Sequence, residues 1–248
     1  MIAAVSQVGA AALIADPGDQ VEPDVYGDYV VYRDLRYTGS FGAAIVLYNR
    51  ITGAAVTVNP SWNADNKPAV GENRVLWCDR RWDGNHGIVS SIIGSGVEDV
   101  ILRDGGSAWG LDVSSRYAMW YQFDQDKVAS LWVYSFGESR LNWLEATKGY
   151  YDTGAHMDHS SDRALIKVSE GSYMAVDFAS GSLQTSSQAE YDSSRRGFYN
   201  GFEVWQEDTG YGYDIYGSHA PEPSTLTVYL CGIAAITLGR MGLRRKRA

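Results

Sequence analysis

The chain has 248 residues, which is enough for one domain with a sizeable core. It carries 30 acidic and 21 basic residues, for a formal net charge of -9. Five of the basic residues stand at positions 240–248, so the remainder has 30 acids against 16 bases and disfavours nucleic acid and anionic membrane surfaces as partners.

Residues 1–15 are apolar and end in small residues, as a secretory signal peptide does. They lack the basic residues that normally precede the apolar stretch of such a peptide. We interpret them as a signal peptide with a truncated start. The alternative is that they form a strand of the folded domain.

A sequence unit recurs five times. It reads PDVYGDYVVYRD at 23–34, PAVGENRVLWCD at 68–79 and GLDVSSRYAMW at 110–120, with weaker copies around 159–166 and 191–208. The hydrophobic run of each copy ends in an anchor position, and these anchors are residues 32, 77, 120, 166 and 205. They lie 45, 43, 46 and 39 residues apart, which is the length of a propeller blade of four short antiparallel strands.

The second half of each copy predicts two further strands, because β-branched and aromatic residues alternate there and Gly, Asn and Asp stand at the breaks. The predicted strands are 44–49 and 55–58, 130–134 and 141–144, and 173–177 and 181–183. No long amphipathic helix precedes residue 221. The sequence therefore predicts an all-β fold, a β-propeller of about five four-stranded blades at residues 16–219. An open β-solenoid and a two-sheet sandwich are the alternatives.

The repeat resembles that of the TolB-type propellers found in bacterial surface proteins, with Pro-x-Val-x-Gly-Asp, then Val-Val-Trp and a final Asp. The resemblance covers about residues 19–217 and is clearest in the first two copies. The fifth copy ends near Gly217 after about three strands. Residues 1–15 would then either supply the missing strand or be removed as a signal.

Acidic residues recur just after the anchors, and these are Asp34, Asp79, Asp124 and the pair Glu207–Asp208. A ring of such carboxylates would suit Ca²⁺ or acid/base hydrolysis of a glycosidic bond. The alternative, which we favour, is that each carboxylate accepts hydrogen bonds from the turn that follows its strand. We therefore predict no cofactor and no metal, with Ca²⁺ as the one ion that the pattern would suit.

Other residue types give weaker signals. His156 and His159 are three apart but lie in strand-and-loop surroundings, which favours a solvated loop over a metal site. Cys78 is predicted to be a buried thiol, and Cys231 stands in the apolar tail, so the two form no useful disulfide. Three tryptophans outside the anchor positions are candidates for stacking on sugar rings, namely Trp62, Trp82 and Trp109.

The C-terminal 29 residues (220–248) have three parts in order. Pro221, Glu222 and Pro223 come first, an apolar run at 225–243 follows, and the chain then reads Arg244, Arg245, Lys246, Arg247. With Arg240 directed toward the headgroups, the run is 19 residues long, close to the roughly 20 that a helix needs to cross a bilayer. The sequence thus predicts one transmembrane helix whose basic end faces the cytoplasm. A buried core helix with a basic tail is the alternative.

This tail resembles the PEP-CTERM sorting signal of Gram-negative bacteria. The resemblance implies that an exosortase-type protease cuts near Pro221–Pro223 and passes the protein to the outer envelope, and that exopolysaccharide and biofilm systems are associated with it.

These interpretations predict an exported protein, membrane-anchored as a precursor and at the cell surface or extracellular when mature. Its propeller would be non-catalytic and would bind exopolysaccharide or envelope proteins, since no Gly-x-Ser-x-Gly, P-loop, dinucleotide or Cys-x-x-Cys motif is present. A propeller-type carbohydrate-active hydrolase is the alternative, and it rests on fold analogy.

Overall fold

A computed structural model describes the chain between residues 12 and 219, with gaps. The described residues are 12–15, 19–37, 42–59, 64–82, 85–103, 108–123, 129–144, 155–158, 163–169, 172–180, 182–186, 198–199, 202–208 and 213–219. The chain divides into two units, Met1–Ser218 and His219–Ala248, and of the second only His219 is described.

The described residues form twenty β-strands and one 3-10 turn at Leu35–Tyr37. The first strand is β1 (Ala12–Ile14), which belongs to the last sheet. Sheet I consists of β2 (Gln20–Tyr26), β3 (Tyr29–Asp34), β4 (Ala44–Asn49) and β5 (Ala55–Thr57). Sheet II consists of β6 (Ala64–Val70), β7 (Arg74–Trp82), β8 (Asn85–Ile92) and β9 (Glu98–Leu102).

The later sheets repeat this arrangement. Sheet III consists of β10 (Ala108–Val113), β11 (Tyr117–Phe123), β12 (Ala129–Ser135) and β13 (Arg140–Leu144). Sheet IV consists of β14 (Ala155–Asp158), β15 (Arg163–Ser169), β16 (Ser172–Asp177) and β17 (Leu183–Ser186). Sheet V consists of β18 (Phe198–Tyr199), β19 (Phe202–Asp208), β20 (Tyr213–His219) and β1.

The prediction of five four-stranded antiparallel units is confirmed. Strand β4 has the predicted limits, and the hydrophobic anchors lie in the second strand of each sheet. Tyr32, Trp77 and Trp120 are fully buried there. The local sequence specifies these strands, because successive side chains of a strand point to opposite faces of its sheet and enter the core on either side.

Strand β1 completes sheet V. Ala12 pairs with Tyr216 and Ile14 with Ile215, so three strands come from the fifth copy and the fourth from the start of the described chain. The side chains of Ile14, Ile215 and Val204 are buried against sheet I. The last sheet is therefore held to the first by an apolar core as well as by the strand pairing.

A separate apolar core fills each of the four described junctions between sheets. Sheet V packs on sheet I around Tyr32, and sheet I on sheet II around Trp77. Sheet II packs on sheet III around Trp120, and sheet III on sheet IV around Met119 and Met157. Sheets I, II and III thus bury both of their faces, which is why their strands contain near-continuous hydrophobic runs.

Glycine is required at position 71, where sheets II and III approach most closely. A Cβ built on Gly71 would lie 1.9 Å from the carbonyl oxygen of Val113 and 2.8 Å from its carbonyl carbon. Because the obstacle is backbone, the two sheets must separate to admit even a methyl group.

We therefore predict that Gly71→Ala lowers the free energy of unfolding by about 3 kcal/mol, the upper part of the range for overpacked interiors. Urea unfolding followed by circular dichroism measures the change. The matched control is Gly137→Ala, since a Cβ at Gly137 meets nothing within 4 Å. Equal stability of the two variants would contradict the close approach of the sheets.

Candidate functional site

The first recurring carboxylate, Asp34, is fully buried at the end of β3. Its Oδ1 accepts hydrogen bonds from the backbone N–H of Arg36 and from Arg36 Nε, both at 3.0 Å. The Arg36 guanidinium also donates to Oδ2. Asp34 is thus fully engaged by the turn that follows its strand and by the arginine two residues on.

Asp79 occupies the same place in sheet II and is also fully buried. It accepts hydrogen bonds from Trp77 Nε1 at 3.1 Å, from the Arg81 backbone N–H at 2.9 Å and from Arg81 Nη2 at 2.5 Å. Arg81 also binds both oxygens of Glu98, at 2.5 and 2.9 Å. The turn interpretation is confirmed for Asp34, whereas Asp79 accepts from the backbone two residues on while still inside β7, and an Asp-x-Arg pattern is common to both copies.

Electrostatics keep this buried pair charged. Burial by itself raises the pKa of the Asp79 carboxyl, but the hydrogen bonds from Arg81 and Trp77 outweigh it and hold the pKa below its usual value. Hydrogen bonds from the Arg81 guanidinium to Glu98 and Asp79 raise the pKa of Arg81. A carboxylate held in this way is a structural anion, because a general acid needs a raised pKa.

The grouping of Asp124 with these carboxylates is corrected by the strand register. Asp34 pairs with Gln20 and Asp79 with Ala64, while in sheet III the residue paired with Ala108 is Gln122. Gln122 therefore holds the equivalent place, and Asp124 is two residues further on, outside the described residues.

The acidic pair of the fifth copy lies in sheet V. Glu207 and Asp208 are exposed at the end of β19. Two of the recurring carboxylates are thus fully buried, two are exposed, and the described residues bring no converging ring of carboxylates together.

Candidate metal ligands do not gather within the described ranges, since no group of three or more His, Cys, Asp or Glu side chains there could hold a metal ion. His156 lies in β14, but its side chain is outside the described part of the structure. The whole of His159 is outside it as well. Cys78 is buried as predicted, and its Sγ lies 3.5 Å from Nδ1 of His86. Arg80 Nε donates to Nε2 of the same imidazole at 3.2 Å, so both ring nitrogens of His86 have a protein neighbour.

The first strand of each of sheets I to III carries a β-bulge, which sequence reasoning missed. The register shifts between Val21 and Asp24, between Asp65 and Ala69, and between Trp109 and Asp112. Each bulge contains a residue with positive φ, and these are Glu22 (55°), Asn66 (67°) and Gly110 (59°). Bulges of this kind redirect side chains and are frequent next to binding sites. Asn66 and Gly110 are a weak sequence signal for the second and third bulges, and Glu22 gives none for the first.

Trp109 stands at the third of these bulges and is half exposed, at 50%. Asn66 Nδ2 donates to the carbonyl oxygen of Ala108 at 2.5 Å, which places the Asn66 amide next to the Trp109 backbone. We call Asn66, Trp109 and Gly110 the bulge surface. A half-exposed indole, with an amide next to its backbone, provides both an apolar face and hydrogen-bonding groups, the combination that suits a sugar ring.

The remaining predicted site residues are not brought into this surface by the described structure. Trp62 lies outside the described residues, and so does the side chain of Trp82, whose backbone ends β7. The tail residues Pro221, Glu222 and Pro223 and the basic cluster Arg244, Arg245, Lys246 and Arg247 are also outside. In the ranges that the structure describes, no helix has the length and apolar character needed to span a bilayer.

Comparison with known proteins supports the fold alone. No family model matches the chain, and no curated protein matches its sequence. Among solved structures, the chain is similar to TolB from Acinetobacter baumannii, with 12% identity, a TM-score of 0.52, and coverage of 83% of this chain and 56% of that one. It is also similar to the β-propeller domain of the Trilobed protease from Pyrococcus furiosus, with 12% identity, a TM-score of 0.53, and coverage of 84% and 71%.

The architecture is therefore that of TolB-type and related β-propellers. The chain spans little more than half the length of the TolB structure. The protease domain has an open velcro topology, whereas in the present chain β1 pairs with β20.

The lowered pKa of Asp79 predicts a specific pH dependence of stability. The folded-state pKa lies below the unfolded value of about 3.9, so the carboxylate stabilises the fold above that value and the contribution is lost as the pH falls through the folded pKa. Asp79→Asn should lower the free energy of unfolding at pH 7 by about 1.5–3 kcal/mol and should flatten its decline below about pH 4.

Urea unfolding of both proteins from about pH 2 to pH 7 checks this. The control is Asp99→Asn, because Asp99 is 52% exposed and lies 3.9 Å from its partner Arg74. This variant should change stability by less than about 1 kcal/mol. An unchanged acid decline in Asp79→Asn would show that other carboxylates cause it.

Proposed function

We propose that this protein is an exported, non-catalytic β-propeller that binds polysaccharide or another envelope protein at the cell surface or in a biofilm matrix. The observation that carries the proposal is the bulge surface, where a half-exposed Trp109 adjoins the Asn66 amide on two neighbouring first strands. Aromatic side chains that are exposed on a rigid sheet lose little entropy on binding and are frequent anchors of binding sites.

Two of the carboxylates on which the hydrolase alternative depends are engaged in the protein interior. Asp34 and Asp79 are buried and hydrogen-bonded to arginine, tryptophan and backbone donors. Neither one has an oxygen directed at open space where a glycosidic bond would have to lie, since both side chains are fully buried. We therefore favour binding over catalysis.

The route to the envelope is proposed from the tail. The order Pro221–Glu222–Pro223, apolar run and basic end supports insertion in the membrane, recognition by an exosortase-type protease and release or transfer of the folded domain. The acidic remainder of the chain supports a partner that is neither nucleic acid nor an anionic lipid surface.

The binding proposal predicts that Trp109→Ala weakens binding to the exopolysaccharide of the source organism about 30-fold, the effect of losing a central aromatic anchor worth about 2 kcal/mol. A glycan array followed by a quantitative pull-down measures it. Ile51→Ala is the control, because Ile51 is 68% exposed and lies in the turn after β4. If the unaltered protein bound neither glycans nor envelope proteins, the proposal would be rejected.

The sorting proposal predicts both ends of the mature protein. We expect the C-terminus to lie near Pro223 and the N-terminus to lie before Ala12, because removal of Ala12–Ile14 would take away a strand of sheet V and its buried Ile14. Mass spectrometry of the protein from its native envelope locates both ends. A chain that is found intact to Ala248 in the cytosol would exclude this route.

A further inference from the structure

A cavity of about 500 Å³ opens between sheets I and II. Sheet I contributes Leu47, Val56 and Val58 to its wall, and sheet II contributes Val75, Ile92 and Ile93. None of the described residues that line it is charged. Its volume lies within the range of about 300–1,000 Å³ that is typical of small-molecule sites.

The equivalent place between sheets II and III has a different composition. The strand register equates Leu47, which pairs with Val31 and Val56, with Ser90, which pairs with Leu76 and Asp99. The first residue of the second strand is Tyr29 in sheet I and Arg74 in sheet II. Tyr29, Leu47 and Val56 between sheets I and II thus correspond to the polar or charged residues Arg74, Ser90 and Asp99 between sheets II and III.

We call the junction between sheets I and II the first junction and that between sheets II and III the second. In the second junction, side chains of the protein fill this place. Arg74 Nη1 donates to Ser90 Oγ at 3.2 Å and lies 3.9 Å from Asp99 Oδ2. The guanidinium carbon of Arg74 stands 3.7 Å from the centre of the Phe136 ring of sheet III. In the junction between sheets II and III the residue at the Tyr29 position is thus a planar cation, and an aromatic ring of the following sheet covers it.

The residue that corresponds to Phe136 in the first junction is Ile93. The backbone N–H of each donates to the carbonyl of the residue that precedes a second strand, Ile93 to Asn73 and Phe136 to Arg116. In the junction between sheets III and IV, the rings of Tyr117 and Phe178 lie 5.0 Å apart. Two junctions are thus closed by an aromatic ring from the following sheet, and the first has an aliphatic side chain there.

The polar groups of the cavity wall are already used by the turns. Asn49 Oδ1 accepts from the N–H groups of Ile51 and Thr52, both at 3.0 Å. Thr52 Oγ1 accepts from Ala54 at 3.3 Å, and Ser91 Oγ donates to the carbonyl of Val97 at 2.9 Å. Apart from the hydroxyls of Tyr29 and Thr57, the wall that remains is apolar, with the Tyr29 ring as its aromatic member.

We propose that this cavity is a binding site for a small, uncharged aromatic molecule. The ligand takes the place that the Phe136 ring fills in the second junction, and it lies against Tyr29, Leu47 and Ile93. A charged ligand is disfavoured because it would lose its hydration without gaining a counter-ion from the wall. The site is separate from the bulge surface, since the cavity adjoins the turns at 50–54 and 93–97, whereas Trp109 lies near the start of β10.

The test uses the full-length protein in lipid nanodiscs and 5-fluoroindole as a neutral probe, followed by ¹⁹F NMR, with empty nanodiscs as the control for partition of the probe into lipid. We expect saturable one-to-one binding with a Kd below about 1 mM, and at least about tenfold weaker binding of the anionic 5-fluoroindole-3-acetate. Absence of saturable binding up to the solubility limit overturns the proposal, as does equal affinity for the two probes.

Two variants locate the probe. Ile93→Phe supplies the ring that closes the other junctions, and Val56→Asp places a carboxylate where sheet II has Asp99. Each should weaken binding of 5-fluoroindole by at least about tenfold. Val56 is 61% exposed, so Val56→Asp is expected to fold even if Ile93→Phe does not.

The matched control is Val97→Asp, because Val97 is 68% exposed and does not line the cavity. It should leave the affinity for 5-fluoroindole within about twofold of the unaltered protein. Equal losses in Val56→Asp and Val97→Asp would overturn the assignment. Trp109→Ala should leave probe binding intact, and loss of the probe in that variant would place it on the bulge surface instead.

Discussion

The structure depends on how neighbouring sheets satisfy the unpaired edges of their first strands. Each first strand has a neighbour within its sheet on one side only, so N–H and C=O groups on its other edge need partners when they are buried. Asp24 accepts a hydrogen bond from the Val70 N–H at 3.0 Å, across the junction from sheet I to sheet II. Asp112 accepts from the Met157 N–H at 2.7 Å in the equivalent place between sheets III and IV. Each carboxylate thus joins two sheets and offsets the desolvation of a buried donor, a loss of about 1–3 kcal/mol when the partner is missing.

The junctions share this plan but use different chemistry, and the differences produce the sites. Sheet II has Ala69 where sheets I and III have aspartate, and there Asn66 donates to the Ala108 carbonyl while Gly71 lets the backbones meet. The first junction keeps its carboxylate but lacks an aromatic ring at its outer end, which leaves the cavity. A repeated scaffold therefore carries function where one copy departs from the others.

Strand β1 links the fold to the proposed maturation of the protein. Its three residues supply the outer strand of sheet V, and Ile14 is buried between sheets V and I. The Glu22 N–H donates to Gln206 Oε1, and the Tyr213 N–H to Asp19 Oδ1, so the same junction is also joined by hydrogen bonds. Because sheet V includes β1, the domain reaches its full stability only when Ala12–Ile14 and the three strands of the fifth copy are all present. This requirement restricts where an export signal can be removed.

The sequence by itself determined the elements and their number. The period-2 runs, the step near 43 residues and the Gly, Asn and Asp breaks specify strands and turns locally, which is why β4 falls at 44–49 and Tyr32, Trp77 and Trp120 are core. It also predicted that Asp34 and Asp79 accept hydrogen bonds from the backbone that follows them, in a turn for Asp34 and within β7 for Asp79. Only the tertiary structure decided which residues meet across a junction. Asp124 is grouped with Asp34 and Asp79 only as the first acidic residue after its anchor, whereas the strand pairing, like the two-residue spacing from Trp120, gives Gln122. The cavity, the position of Trp109 beside Asn66 and the use of Ile14 in sheet V all depend on side chains from two sheets, and no local pattern encodes their combined volume.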